Sequence, residues 1–400
     1  MRTRFGWLVA LGLALAPAIA LGQAVSNYNY EVPPSPNLFP GPFGHYRMEE
    51  GGFFIGLEGL YWHMPNPMHS QIVGVRGFFD ADGTVINGAA GTFVGSGTPA
   101  LDVRQISGGD TYTPGFNLLA GWRFESGVAI QIGWIHLVDV RHSAQASLIP
   151  PSFAVGPRVE DTFLFAPVSN FPIDYSGPAR EVTPGNPGAL FGIWNGAALM
   201  QIQFLQRFEQ VDFTARLPMW DAQDFRSYAL VGPRGVWIWE RFKWRTVDPD
   251  INGVALPEDV ADYSNVVSNR LYGVHAGCGS EWFLGDTPVG GFSLSVDTEA
   301  GLFVDLAKGR AKYELEDRST SAHRNRNFTT IAPMLSGKID LWWWPVEAIQ
   351  INFGYDALCY FNTMASRRPI DFNFGSINPD YNTWVNRLFY GFHLGIGITF

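Results

Sequence analysis

The chain has 400 residues, 16% of them charged and 15% aromatic, with 45 Gly, 27 Pro and two Cys. That apolar content excludes disorder, the net charge of −10 lacks the basic footprint of a nucleic-acid binder, and two cysteines build no disulfide framework. Abundant glycine and aromatics with little charge suit β-architecture.

Residues 1–24 read as a cleaved export signal. Arg2 and Arg4 precede a short apolar run from Trp7 to Ala16, and small residues follow at Ala18, Ala20 and Ala24. Residues 25–51, with the stretch VPPSPNLFPGPFG, read as an extended Pro-rich linker. The main domain is expected over 52–400. It contains no run of about 18 apolar residues that could form a membrane-spanning helix.

What recurs instead is period-two alternation, the signature of strands with two unlike faces. In chain order the predicted strands are 53–62, 115–124, 128–141, 199–217, 227–245, 269–284, 291–307, 328–344, 348–362 and a terminal strand from Leu388 to Phe400. The clearest is 291–307, with Phe292, Leu294, Val296, Leu302, Val304 and Leu306 on one face and Ser293, Ser295, Asp297, Glu299 and Asp305 on the other. Strands of a soluble sandwich average about five or six residues, whereas a tilted strand crossing a bilayer needs about ten. The connections alternate long (64–112, 142–196, 246–268, 309–327, 363–385) and short, as in outer-membrane barrels with long outer loops and short periplasmic turns. The predicted fold is therefore all-β, a transmembrane antiparallel up-and-down β-barrel of ten strands, or twelve if a long loop hides a hairpin.

On this register the apolar face meets lipid, with Val296, Leu302 and Ile351 as markers. The polar face lines a lumen: Glu58, Arg123, Asp139, Arg141, Asp212, Arg216, Arg234, Glu240, His275, Glu281, Asp297, Glu299, Asp305, Lys338, Asp340, Asn352, Asp356 and His393. Aromatics near strand ends (Tyr61-Trp62, Trp122, Phe124, Trp237, Trp239, Trp282-Phe283, Trp342 to Trp344) are expected to form interfacial girdles. Cys278 and Cys359 fall on the lipid phase of non-adjacent strands, beyond the roughly 7 Å that a disulfide allows. The segment KGRAKYELEDRSTSAHRNR (308–326) reads as a solvated outer loop.

The stretches GFFIGLEGLYW (52–62), GPRGVWIWERFKW (232–244), NRLYGVHAGCGSEWF (269–283), FSLSVDTEAGLF (292–303), INFGYDALCYFN (351–362), RPIDFNFGSIN (368–378) and YGFHLGIGITF (390–400) resemble the planctomycete-type outer-membrane β-barrel family. They are more distantly similar to the Legionella-type pore-forming outer-membrane proteins. The resemblance implies a barrel in the outer membrane and supplies no catalytic residues. It also fits a final strand whose terminal Phe400 serves as the signal read by the barrel assembly machinery.

No GxSxG, HExxH, CxxC or phosphate-cradling loop occurs. Asp297 and Glu299, two apart on one face, are expected to be structural carboxylates, and His275 and His393 hydrogen-bonded lumen residues rather than metal ligands. The sequence thus predicts a protein without enzymatic activity or cofactor. Its expected role is a narrow channel or a structural, surface-display element with an acidic, largely filled lumen. Its expected partners are outer-membrane lipid, the assembly machinery and surface glycans met by the outer loops, not nucleic acid. A hydrolase at the barrel rim and a soluble secreted β-protein are the alternatives.

Overall fold

The computed structural model describes residues 52–400 apart from 81–82, 84–88, 107–111, 149–158, 171–179, 184–185, 191, 223, 250–253 and 347. The expected signal and linker lie outside the described residues.

Ten long strands form a closed antiparallel barrel. They are β1 (Gly52–His63), β2 (Tyr112–Arg123), β3 (Ala129–Ser147), β4 (Leu199–Asp221), β5 (Phe225–Val247), β6 (Val260–Thr287), β7 (Gly290–Leu315), β8 (Ser321–Val346), β9 (Ile349–Arg368) and β10 (Asp380–Thr399). Each pairs with its neighbours in the chain, and β10 returns to β1, with Leu57 opposite Ile396 and Leu60 opposite His393. Through the band where all ten strands overlap, closure pairs each strand on both sides; above it the upper parts of β3, β8 and β10 are paired on one side only.

The short connections gather at one end. In the first, Gly127 takes φ +81° and its N–H donates to the Phe124 carbonyl at 2.9 Å, while the Phe124 N–H donates to Val128 at 2.8 Å. Glycine is suited to this left-handed position because it has no Cβ to clash. The long connections gather at the other end, where they carry small sheets of their own. One has four strands: Asn195–Ala197, Leu164–Phe165, Ile72–Arg76 and Pro99–Asp102.

Several strands run further than predicted. The segment expected as a loop over 309–327 is instead the top of β7 and β8, joined by a turn at 316–320, and the expected 246–268 loop shrinks to 248–259. Alternation persists there with a different outward chemistry. Ala307, Ala311, Tyr313 and Leu315 point in, while Lys308 and Arg310 point out. The apolar outward pattern ends near Leu306, but the strand continues with charged outward residues, which by themselves read as loop.

Below that level the outward face is apolar. Leu57, Ile132, Phe213, Val274, Leu302, Ile339, Phe353 and Leu394 are all exposed. Aromatic pairs ring the short-turn end, with Phe53 opposite Trp122, Phe225 opposite Trp282 and Phe292 opposite Trp343. Toward the loop end Tyr61 stacks on Tyr112 at 5.3 Å and Trp237 meets Tyr272 at 6.0 Å. The expected girdle needs one correction: Trp62 and Trp342, each 1% exposed, and Trp344, 6% exposed, point into the barrel. Adjacent strand residues face opposite ways, so consecutive aromatics cannot share one ring.

Candidate functional site

The inward faces build the lumen in layers. Nearest the short turns, Phe54, Leu119, Trp342 and Trp344 form an apolar floor. Above it lies a charged layer centred on Glu58, which accepts hydrogen bonds from Lys338 Nζ at 3.0 Å, Asn352 Nδ2 at 2.9 Å and Asn117 Nδ2 at 2.7 Å. Lys338 Nζ also lies 3.5 Å from Asp340, while His393 bonds Asp340 and approaches Asp356 at 2.7 Å. Gly395 makes room for this hub, since a Cβ there would overlap Asn352 Oδ1 and Glu58 Cγ.

Across the lumen, Arg234 donates to Glu299 at 2.7 Å, Arg216 lies 3.5 Å from Asp297, and the Tyr228 hydroxyl donates to Asp297 at 2.5 Å. Between the two clusters is a cavity of about 110 Å³ bordered by Gln131, Arg216, Arg234 and Lys338. Buried Arg216 Nε and Arg234 Nε and Gln131 Oε1 have no protein partner. The space fits a few bridging waters and no larger solute.

Next comes an apolar belt of Leu60, Trp62, Phe208, Val236, Leu271, Phe303, Tyr360 and Phe389. Just above it Arg387 makes a two-pronged contact with Glu240, Nη1 to Oε1 at 2.5 Å and Nη2 to Oε2 at 2.8 Å. Gln206 donates to the same carboxylate at 3.0 Å, and Arg387 also reaches Thr363 and the Met364 carbonyl. Two buried charges are tolerable only with such complete pairing.

The loop end is closed by a plug. Met68, Val73, Leu101, Val103, Ile106, Leu164, Ile193 and Trp194 from the first two loops, with Ile370, Phe374 and Ile377 from the last, pack on Met200, Ile202, Phe204, Phe242, Trp244, Tyr263 and Tyr313 of the strands. Trp194 is its centre, with ring centroids 4.7 Å from Trp244, 5.1 Å from Phe374 and 5.6 Å from Tyr313.

The structure places Glu58, Arg123, Arg234, Glu240, Glu281, Asp297, Glu299, Lys338, Asp340 and Asp356 on inward faces. Glu58, Lys338, Asp340 and Asp356 come together, as do Arg234 and Glu299, whereas Glu240 stands apart beside Arg387. Asp297 and Glu299 each face an arginine rather than one another. Glu281 accepts from Ser293 at 2.7 Å near the short-turn end. His275 meets Thr214 at 3.1 Å. Two expected lumen residues are outside it. Asp139 and Arg141 are exposed, and Asp139 pairs with Arg207 at 2.9 Å. A bulge on β3 causes this: the register with β4 shifts between Val140 and Leu137, which flips every later side chain. Val140, expected outside, is consequently buried. Cys278 and Cys359 are free, and Cys278 is exposed.

Sequence reasoning missed Arg387 and the plug. Arg387 was one residue short of the predicted last strand, and plug residues such as Trp194 lie in loops whose apolar content has no period to read.

No protein-family model matches the chain, and no curated protein matches it either. Among solved structures it is similar to the outer membrane protease OmpT from Escherichia coli, at 9% identity and a TM-score of 0.32, covering 87% of this chain and 97% of that one. It is also similar to a Pseudomonas aeruginosa FadL homologue, at 8% identity and a TM-score of 0.23, covering 92% and 95%.

Proposed function

We propose that this chain is an integral outer-membrane β-barrel with a structural or surface-presenting role, and that it carries no solute stream. The observation behind this reading is the contrast between its two faces. The exterior is an apolar band edged by aromatics, as a bilayer requires. The interior is filled in layers: an apolar floor, a charged layer around a cavity of about 110 Å³, an apolar belt and a loop plug. Small barrels of about eight strands are filled by their own side chains, and this one adds a second core from its loops. Membership of the planctomycete-type barrel family, presentation of the outer loops to surface glycans and insertion by the assembly machinery belong to the same proposal.

The reading includes no catalytic role. Glu58, Asp297, Glu299 and Glu240 are held by Lys338, Arg216, Arg234 and Arg387 beneath the plug, and Glu281 accepts from Ser293, which supports a structural role for these acids. The test is purified protein in planar bilayers, after heat-modifiable migration has established a folded barrel. The expected trace is flat. Stable steps of porin size would overturn the closed-barrel reading, and a protein that stays soluble without detergent would overturn the membrane reading.

A further inference from the structure

At the upper margin of the apolar band, the outward face of β5, β6 and β7 changes character within two residues. On β7, Val304 and Leu306 are followed on the same face by Lys308 and Arg310; on β6, Val274 and Tyr272 by Arg270; on β5, Trp237 and Trp239 by Arg241. The register gathers the four cations. Trp237 is opposite Arg270, Ser268 is opposite Lys308, and Val266 stands between Arg241 on one side and Arg310 on the other. Arg241 lies over the Trp239 ring, 5.7 Å from its centroid, so its guanidinium is held at the indole level.

Four nearby outward cations have carboxylate partners and these do not. Higher up, Lys243 pairs with Asp262 and Arg245 with Glu316, each at 2.9 Å, and Lys312 pairs with Glu314; to the side, Arg207 pairs with Asp139. Among the described residues Arg241, Arg270, Lys308 and Arg310 have no carboxylate partner. These four border the apolar band. Four like charges this close repel one another unless something anionic sits among them.

We infer that this patch binds the phosphate of an anionic membrane lipid, whose acyl chains run down over Tyr272, Val274, Leu302 and Val304. The inference rests on the membrane reading above. A lipid satisfies both halves of the surface at once, with phosphate among the cations and hydrocarbon on the apolar residues directly beneath them. A free anion would use only the upper half.

The test uses the full chain in phosphatidylcholine vesicles containing spin-labelled phosphatidic acid or, in parallel, spin-labelled phosphatidylcholine. The motionally restricted fraction gives the relative association of the two lipids. The expected result is a preference for phosphatidic acid that falls about fivefold for each single variant. It should reach parity in the quadruple variant Arg241→Gln, Arg270→Gln, Lys308→Gln and Arg310→Gln. A control pair, Lys243→Gln with Lys312→Gln, should keep the preference. Millimolar inorganic phosphate should not displace the lipid; displacement would make the patch a free-anion site and overturn the inference. Equal association of both lipids with the unmodified chain, or a preference that survives the quadruple change in a heat-modifiable barrel, would also overturn it. Failure of the chain to enter vesicles would instead bring down the membrane reading on which it stands.

Discussion

Arg387 and Glu240 lie near opposite walls of the lumen in a region with little water, and each supplies the other's counter-charge. Removing one partner leaves a buried charge alone, which costs about 3–5 kcal/mol, whereas replacing both with apolar residues of similar volume is often neutral. Arg387→Ala should therefore destabilise the barrel by that amount, while Glu240→Leu with Arg387→Met should cost much less. Urea titration of the barrel in lipid would measure both, and equal losses would show that packing, not charge pairing, governs the site. Glu240 was legible from strand alternation alone. Its partner was not, because alternation says which way a side chain points and nothing of what it meets. Asp139 shows the converse: its type suited a lumen, but a bulge that no single-strand pattern records turned it outward.

At the scale of strands, outward side chains should divide by height. Ile339 is 51% exposed, with Val296 on one neighbouring strand and Tyr355 on the other, well inside the apolar band. Ile351 is opposite Trp343 in the aromatic ring near the short turns. Arginine at the bilayer midplane costs about 2–4 kcal/mol and much less near an interface. Ile339→Arg should cost the full amount and Ile351→Arg about 1 kcal/mol or less, as read by refolding into vesicles; equal costs would mean that the band is not centred as its aromatics imply. The number of strands, their order and most of their inward and outward assignments were readable from period-two patterning. Their upper ends were not, because above the membrane margin a strand keeps its period but no longer needs apolar outward residues.

For the whole molecule, the plug decides whether the lumen is a passage or a core. Trp194 is 1% exposed at its centre, and truncating a buried tryptophan costs about 3–5 kcal/mol. Trp194→Ala should lower the temperature at which the barrel loses its heat-modifiable form while leaving vesicle insertion intact. An unchanged temperature would mean that the plug contributes nothing to the fold. The sequence predicted a largely filled, acidic lumen from the long charged residues on the inward faces. It could not disclose that apolar layers lie above and below those charges, since the plug is assembled from segments far apart in the chain, Met68, Trp194 and Phe374 among them.

Nine of the ten seams of the ring join strands that follow one another in the chain, and one, β1 with β10, joins its first strand to its last. Loop-closure entropy must be met before that seam can form. Until Tyr61 lies across from Phe392, the sheet has two raw edges whose unpaired N–H and C=O groups invite pairing with other chains. The finished seam, paired from Phe54 opposite Thr399 to His63 opposite Tyr390, removes this hazard where the two strands meet. The hazard belongs to the interval of assembly, when the chain must be kept from its own copies until its first and last strands have met.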